Sequence, residues 1–322
     1  MSFESEWNMS LPEALADLDQ QLRVVIDGKV QCCVGLLGTF YLEDTESPAT
    51  RVRAVDAYER YVRAVPEGAL VWGADPKTGT PRKLVSTDVG NVRGWAPRVA
   101  PSGEFSYAYK GGSEKDDADV YMVKCLLGAD TPDELGYVSF ALPLSWVGDR
   151  PAGAFVNLVL DFANILKPTH GYAGLAVIPH VNESGRSSAM PSVVSLVSRF
   201  RGLEFDLPWL HSIHLAKLNK IKGINWLTVL ARKWEDELGG VAELAEELGP
   251  EITLRRWDDG VIIQAGDHPL FGDVNRKEPM PLYGRVARAI EPIRPESMGS
   301  FSSVNGFTVE RTDQWLHRFD ND

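Results

Sequence analysis

The stretch Ile262–Arg276, IIQAGDHPLFGDVNR, brings Asp267, His268 and Asp273 close together. Two carboxylates and an imidazole could share acid and base roles, or could hold a hydrolytic metal ion. The same stretch has the residues a shaped loop needs. Gly266 and Gly272 flank DHPLF, and glycine takes positive φ at no steric cost. Pro269 fixes one dihedral, and Asp beside turn glycines bonds its own backbone. Catalysis would require a further carboxylate or His converging from elsewhere in the chain. The residues favour loop shape, with a metal-dependent hydrolase built on Asp267, His268 and Asp273 as the chemical alternative.

Other candidates carry less. His211 and His214 are three apart and would share a face on a helix. WLHSIHLAKLNKIKG (209–223) reads as extended, which sends them to opposite faces and away from a common metal. Cys125 lies within the apolar run YMVKCLLG, where a thiol is buried and inert. With Cys32 and Cys33 the cysteines number three and form no CxxC, which argues against a disulfide framework and a zinc site. Glu114, Asp116, Asp117 and Asp119 in SEKDDAD (113–119) could hold a cation, but the EF-hand Gly and Glu do not fall into place. They read as a solvated surface loop or as a negative patch for a basic partner. Asp258-Asp259, at a hairpin tip, reads the same way. The chain has no GxxxxGK[ST], no GxGxxG after a strand, no GxSxG and no HExxH. No catalytic residue, cofactor or resident metal is expected.

The elements that would position these residues alternate irregularly. Residues 10–20 predict a short helix, and LRVVIDGKVQCCVGLLGTFYL a strand pair turning at Asp27-Gly28. SPATRVRAVDAYERYVRAV predicts a helix with Ser47 as cap and Pro48 in its first turn. VYMVKCLL, GYVSFALPL and GYAGLAVIPHV read as strands, with an amphipathic helix over Arg150–Leu166 before the last. The strand–helix–strand unit 137–181 suggests crossover packing on a sheet. AMPSVVSLVSRF reads as a helix, and NWLTVLARKWEDELGG as one capped by Asn225 and stopped by Gly239-Gly240. VAELAEELG is a short helix, ITLRRWDDGVIIQAG a hairpin turning at Asp259-Gly260, and PLYGRVARAI the closing helix. This order predicts an α+β fold with a mixed, mainly antiparallel sheet covered by helices. It is divided either into two similar α/β halves, 1–130 and 131–322, or into none, as one continuous domain.

The 33 basic and 45 acidic residues give 33 − 45 = −12. A field of that sign repels nucleic acid and anionic membrane surfaces, and it accelerates association with a basic protein. The N-terminal stretch MSFESEWNMSLPEALADLDQ lacks an apolar core run, so no secretory signal is read there. The longest apolar run, Ala152–Leu160, is far short of a bilayer span. A cytoplasmic location follows as the expectation.

Three stretches resemble a known family as a set. IKGINWLTVL (221–230), ELGG (237–240) and IIQAGDHPLFGDVNRKEPMPLYGRVARAIEPIR (262–294) are similar to the C-terminal pattern of the type VI secretion immunity proteins called TsiV-like. HGYAGLAV (170–177) and SRFRGLEFD (198–206) resemble its middle portion, so the likeness spans about 125–295. The shared residues Lys222, Gly223, Asn225, Trp226, Gly266, Pro269, Gly272, Asp273 and Asn275 are types that set backbone shape and core contacts. The resemblance implies a protein without catalytic residues that neutralises a toxic effector encoded beside it, a basic nuclease acting in the cytosol. Contacts with that toxin are expected outside the shared scaffold, at Glu114, Asp116, Asp117, Asp119, Asp258 and Asp259. An adaptor that loads the effector for secretion is the other binding role compatible with the sequence.

Overall fold

The computed structural model describes residues 10–75, 78–84, 90–99, 103–128, 134–180, 183–300 and 306–322. Two long strands make the spine: β2, Lys29–Leu42, and β8, His170–Pro179. They pair antiparallel along most of their length, from Cys32 opposite Pro179 to Tyr41 opposite His170. Both are buried on both faces, so they read as apolar runs and not as alternating strands. The other strands are β1 Arg23–Ile26, β3 Trp72–Ala74, β4 Pro81–Lys83, β5 Phe105–Lys110, β6 Met122–Leu127, β7 Gly136–Leu142, β9 Glu204–Phe205, β10 Leu227–Ala231, β11 Thr253–Trp257 and β12 Gly260–Gln264. They form a single 12-stranded sheet in the order β11-β12-β10-β8-β2-β7-β6-β5-β3-β4, with β1 on β2 and β9 on β8. Only the β8–β9 pairing is parallel among the described residues. The fold is α+β, as expected.

The helices are α1 Leu11–Gln21, α2 Pro48–Ala64, α3 Val92–Trp95, α4 Ala154–Leu166, α5 Glu183–Arg199, α6 Pro208–Leu218, α7 Arg232–Glu237, α8 Val241–Leu248, α9 Pro281–Ala289 and α10 Val309–Leu316. On one face of the sheet Phe40, Phe140 and α4's Phe162 stack in a buried cluster, with Tyr61 of α2 beside Phe140. On the opposite face Thr39 and Ser139 share a hydrogen bond of 2.9 Å, Thr39 donates to Asp206 just ahead of α6, and α6's His211 lies 3.3 Å from Asp206. Helix α4 carries the chain from β7 to β8 with β2 between them, which is the crossover read from the sequence. The expected 130/131 division separates β6 from β7, two neighbours in this one sheet; part of the expected boundary, 129–133, lies outside the described residues.

Several elements differ from the sequence reading. Residues 227–231, read as part of a helix, are the strand β10, held between β8 and β12. Leu227, Thr228, Val229 and Leu230 are fully buried, and a short apolar run of that kind does not separate strand from helix by periodicity. The expected helix survives only as α7. The segment read as extended holds α6 instead: Pro208 opens it and Asn219, at φ +45°, closes it in the left-handed region. The hairpin turns on Asp258 and Asp259, one residue earlier than expected. Gly260 is needed for close approach, since a Cβ there would sit 2.0 Å from the Leu230 carbonyl oxygen. Helix α9 does not close the fold; α10 follows and adds Trp315 to the core, with Phe319 buried just beyond it.

Candidate functional site

The loop 266–276 is built for shape. Gly266 and Gly272 have φ of +86° and +64°. Trp226 donates its indole N–H to the Gly266 carbonyl at 2.8 Å, and Gln264 donates to the same oxygen at 3.0 Å. The loop's far end pairs with the segment after α5, where Gly202 donates to the Phe271 carbonyl at 2.8 Å. A Cβ at Gly202 would lie 1.7 Å from the Leu270 oxygen, so only glycine permits this approach. Asp273 is buried in that contact and accepts from Arg199 at 2.9 Å and from the Asn275 backbone N–H at 3.0 Å. The Arg199 hydrogen bond holds its carboxyl below the usual carboxylate range. Asp267 and His268 are exposed, whereas Asp273 is turned inward to Arg199. Among the described residues no group of three His, Cys, Asp or Glu is placed to hold a metal ion.

The motif residues Lys222, Asn225 and Trp226 lie in the core. Asn225 accepts from the Trp226 N–H at 2.7 Å, a local bond that sets the entry into β10 and not a helix cap. Lys222 donates to Glu204 at 2.6 Å, the Phe205 carbonyl at 2.9 Å and the Tyr172 hydroxyl at 3.1 Å, with Asp206 at 3.4 Å. Thr39 donates to the other Asp206 oxygen at 2.6 Å, and His211 lies 3.3 Å away. Lys222 keeps Asp206 well below the usual carboxylate range against the opposing effect of burial. Burial, reinforced by the Lys222 charge, pushes His211 down, so its imidazole is neutral near pH 7. His211 is therefore a network member, and His214, on the same helix, is half-buried. Sequence reading missed this cluster because 209–223 read as extended, whereas α6 folds there and brings His211 and Lys222 back to Glu204 and Asp206. Cys125 is buried, which pushes its thiol far up and leaves it inert.

The acidic loop 113–119 is not uniformly a solvated patch. Asp117 is buried, accepting from Val30 N–H and Ser113 Oγ at 3.1 Å each. Asp119 accepts from Tyr121 N–H at 2.8 Å and faces Arg23. Lys110 threads the loop and donates to the carbonyls of Glu114 and Asp117. Glu114 and Asp116 alone of the four point outward. Asp258 and Asp259 are exposed, with Asp259 paired to Lys167 at 3.0 Å.

Two concave surfaces stand out. One, of about 440 Å³, lies over β5 and β6 and mixes charges, with Asp75, Glu104, Lys124, His180 and Trp209 among its walls. The other, about 600 Å³, opens where β2 leads into α2. Glu43, Asp44, Glu46 and Glu134 lie around it, with Lys220 and Lys233, and Thr169, His170 and Trp234 also line it. Two lysines against four carboxylates give 2 − 4 = −2 at this opening.

Among solved structures the chain is similar to the Pseudomonas aeruginosa T6SS protein PA0821, at 25% identity and a TM-score of 0.83, covering 95% of this chain and 89% of that one. No curated protein matches. The family model described as TsiV, type VI immunity for VRR-NUC, matches residues 52–319, and the chain belongs to that family.

Proposed function

We propose that this protein acts by binding: it captures and neutralises a VRR-NUC effector encoded by a neighbouring gene, in the cytoplasm of the cell that makes both. The family match over residues 52–319 carries the reading. Two physical features support it. Lys222, Asn225, Trp226, Gly272 and Asp273 are engaged in backbone shape and core bonds, as expected of a scaffold that presents other residues to a partner. A net charge of −12 favours fast association with a basic, DNA-binding domain. No helix among the described residues is long and apolar enough to cross a membrane. Of the sequence-derived contact candidates, Glu114, Asp116, Asp258 and Asp259 are available to a partner, whereas Asp117 and Asp119 serve the loop itself.

The test is co-expression. Cells producing the neighbouring effector's nuclease domain are expected to die without this protein and to grow with it. Equal killing in both cases would refute the proposal. A complex in which nuclease activity persists would favour the adaptor role.

A further inference from the structure

We infer that the cleft between the β2–α2 connection and α7 seats an arginine side chain presented by the effector. This rests on the proposed function and specifies its interaction surface. The rim is anionic. Glu43 is held by Lys233, and Lys220 is turned away, donating to the Pro292 carbonyl at 2.6 Å. Among the described residues Asp44, Glu46 and Glu134 have no ion-pair partner, and Asp44 and Glu46 are exposed.

The lining supplies the second observation. Thr169, His170 and Trp234 are 5%, 2% and 2% exposed. The Thr169 hydroxyl, both His170 ring nitrogens and the Trp234 indole N–H are buried with no hydrogen-bond partner among the described residues. Such groups are costly to leave unpaired, and native structures pair nearly all of them. Sheet pairing places Thr169 and His170, with the Thr169 N–H and carbonyl used by Tyr41 and Ala231 and the His170 ring stacked on Tyr41 at 4.7 Å, so these backbone groups are not free to satisfy the side chains. Burial and the Lys233 charge hold His170 at about 3, so the ring is neutral near pH 7 and one nitrogen is an acceptor.

The occupant follows from this arrangement. Below the rim the Thr169 hydroxyl and one His170 nitrogen can accept, while the other His170 nitrogen and the Trp234 indole carry N–H donors; the rim carboxylates and these two acceptors suit a cation with several N–H donors. A guanidinium fork has five donors and keeps its charge when desolvated, which an ammonium does less well. The Trp234 N–H suits a backbone carbonyl of the loop that carries the arginine. A cleft of about 600 Å³ has room for such a loop tip.

The experiment is titration calorimetry of the effector's nuclease domain into the full chain. The test variant is D44N/E46Q/E134Q; the control, E237Q/E246Q/E247Q, makes the same charge change on exposed residues of α7 and α8. The cleft variant is expected to bind about tenfold or more weakly and the control to lose less than about threefold. T169V removes only the buried hydroxyl; it is expected to weaken binding by about threefold without lowering the melting temperature. Equal affinity of the two triple variants overturns the inference, whatever T169V does. If the wild-type chain itself does not bind, the proposed function fails and the inference falls with it. That result is separated from the first by the wild-type titration.

Discussion

Replacing Lys222 by Met tests whether the core charge cluster is as interdependent as its geometry implies. Lys222 is 3% exposed, and its ammonium meets Glu204 at 2.6 Å, Asp206 at 3.4 Å and the Tyr172 hydroxyl at 3.1 Å. Met fills most of the stem's volume and removes the charge. Two carboxylates, 2% and 6% exposed, would then keep the neutral donors Thr39 and Tyr172 on Asp206, with His211 beside it, but have only Arg318, 3.5 Å from Glu204, as a cation close by. Removing one partner of a buried pair typically costs about 3–5 kcal/mol, because the remaining charge is uncompensated. A chain of this length has an unfolding entropy of roughly 0.7 kcal/mol/K, so the melting temperature should fall by roughly 4–7 °C. The deficit should shrink as pH falls, since an uncompensated Asp206 gains a proton more readily than the wild-type carboxyl. Adding Asp206→Asn should recover about half of the loss by removing the stranded charge. Urea unfolding followed by tryptophan fluorescence, repeated at pH 7 and pH 5, measures all three effects. A loss below about 1 kcal/mol for K222M, or no recovery in the double variant, would refute the reasoning.

Other perturbations separate loop shape from chemistry and report on the buried imidazoles. D267N/H268A should change stability by less than about 0.5 kcal/mol, as expected of exposed residues. Asp273→Ala should lower the unfolding midpoint clearly, because it removes the Arg199 pair and the bond to Asn275; equal midpoints would return the loop to consideration as an active site. His170, held at about 3, and His211, also pushed down, have folded pKa values below the ordinary 6.5. The unfolded chain therefore takes up protons first as pH falls, and stability should decline from about pH 6.5 downward. Each imidazole contributes at most about 1.4 kcal/mol per pH unit, and a flat stability profile between pH 6.5 and 4.5 would contradict their burial. Thr169→Val should raise stability slightly, by up to about 1 kcal/mol, if its hydroxyl has no partner in the free protein; a clear loss would show that it does.

How much of this was legible in the sequence depends on the distance over which each feature is determined. The β2 strand, α2 with its Ser47–Pro48 start, the 253–264 hairpin and α9 follow from local pattern and turn chemistry. Residues 227–231 misread as helix because only the neighbours β8 and β12 decide that a short buried run is a strand. Pro208 and Asn219 were visible signals for α6 that the apolar spacing obscured. Asp117 and Asp119 looked solvated because a run of acidic residues does not reveal that Lys110, Ser113 and backbone N–H groups converge on it. The cleft was not legible at all: its residues span positions 43 to 234, with Thr169 and His170 at the start of β8 and Trp234 on α7.

The most direct test of the account is a titration of purified effector nuclease domain with this protein, reading complex formation and cleavage of double-stranded DNA in the same samples. The account predicts a stoichiometric complex and DNA cleavage that falls to background at the equivalence point, with association slowed by added salt. Undiminished cleavage at saturating protein would contradict it.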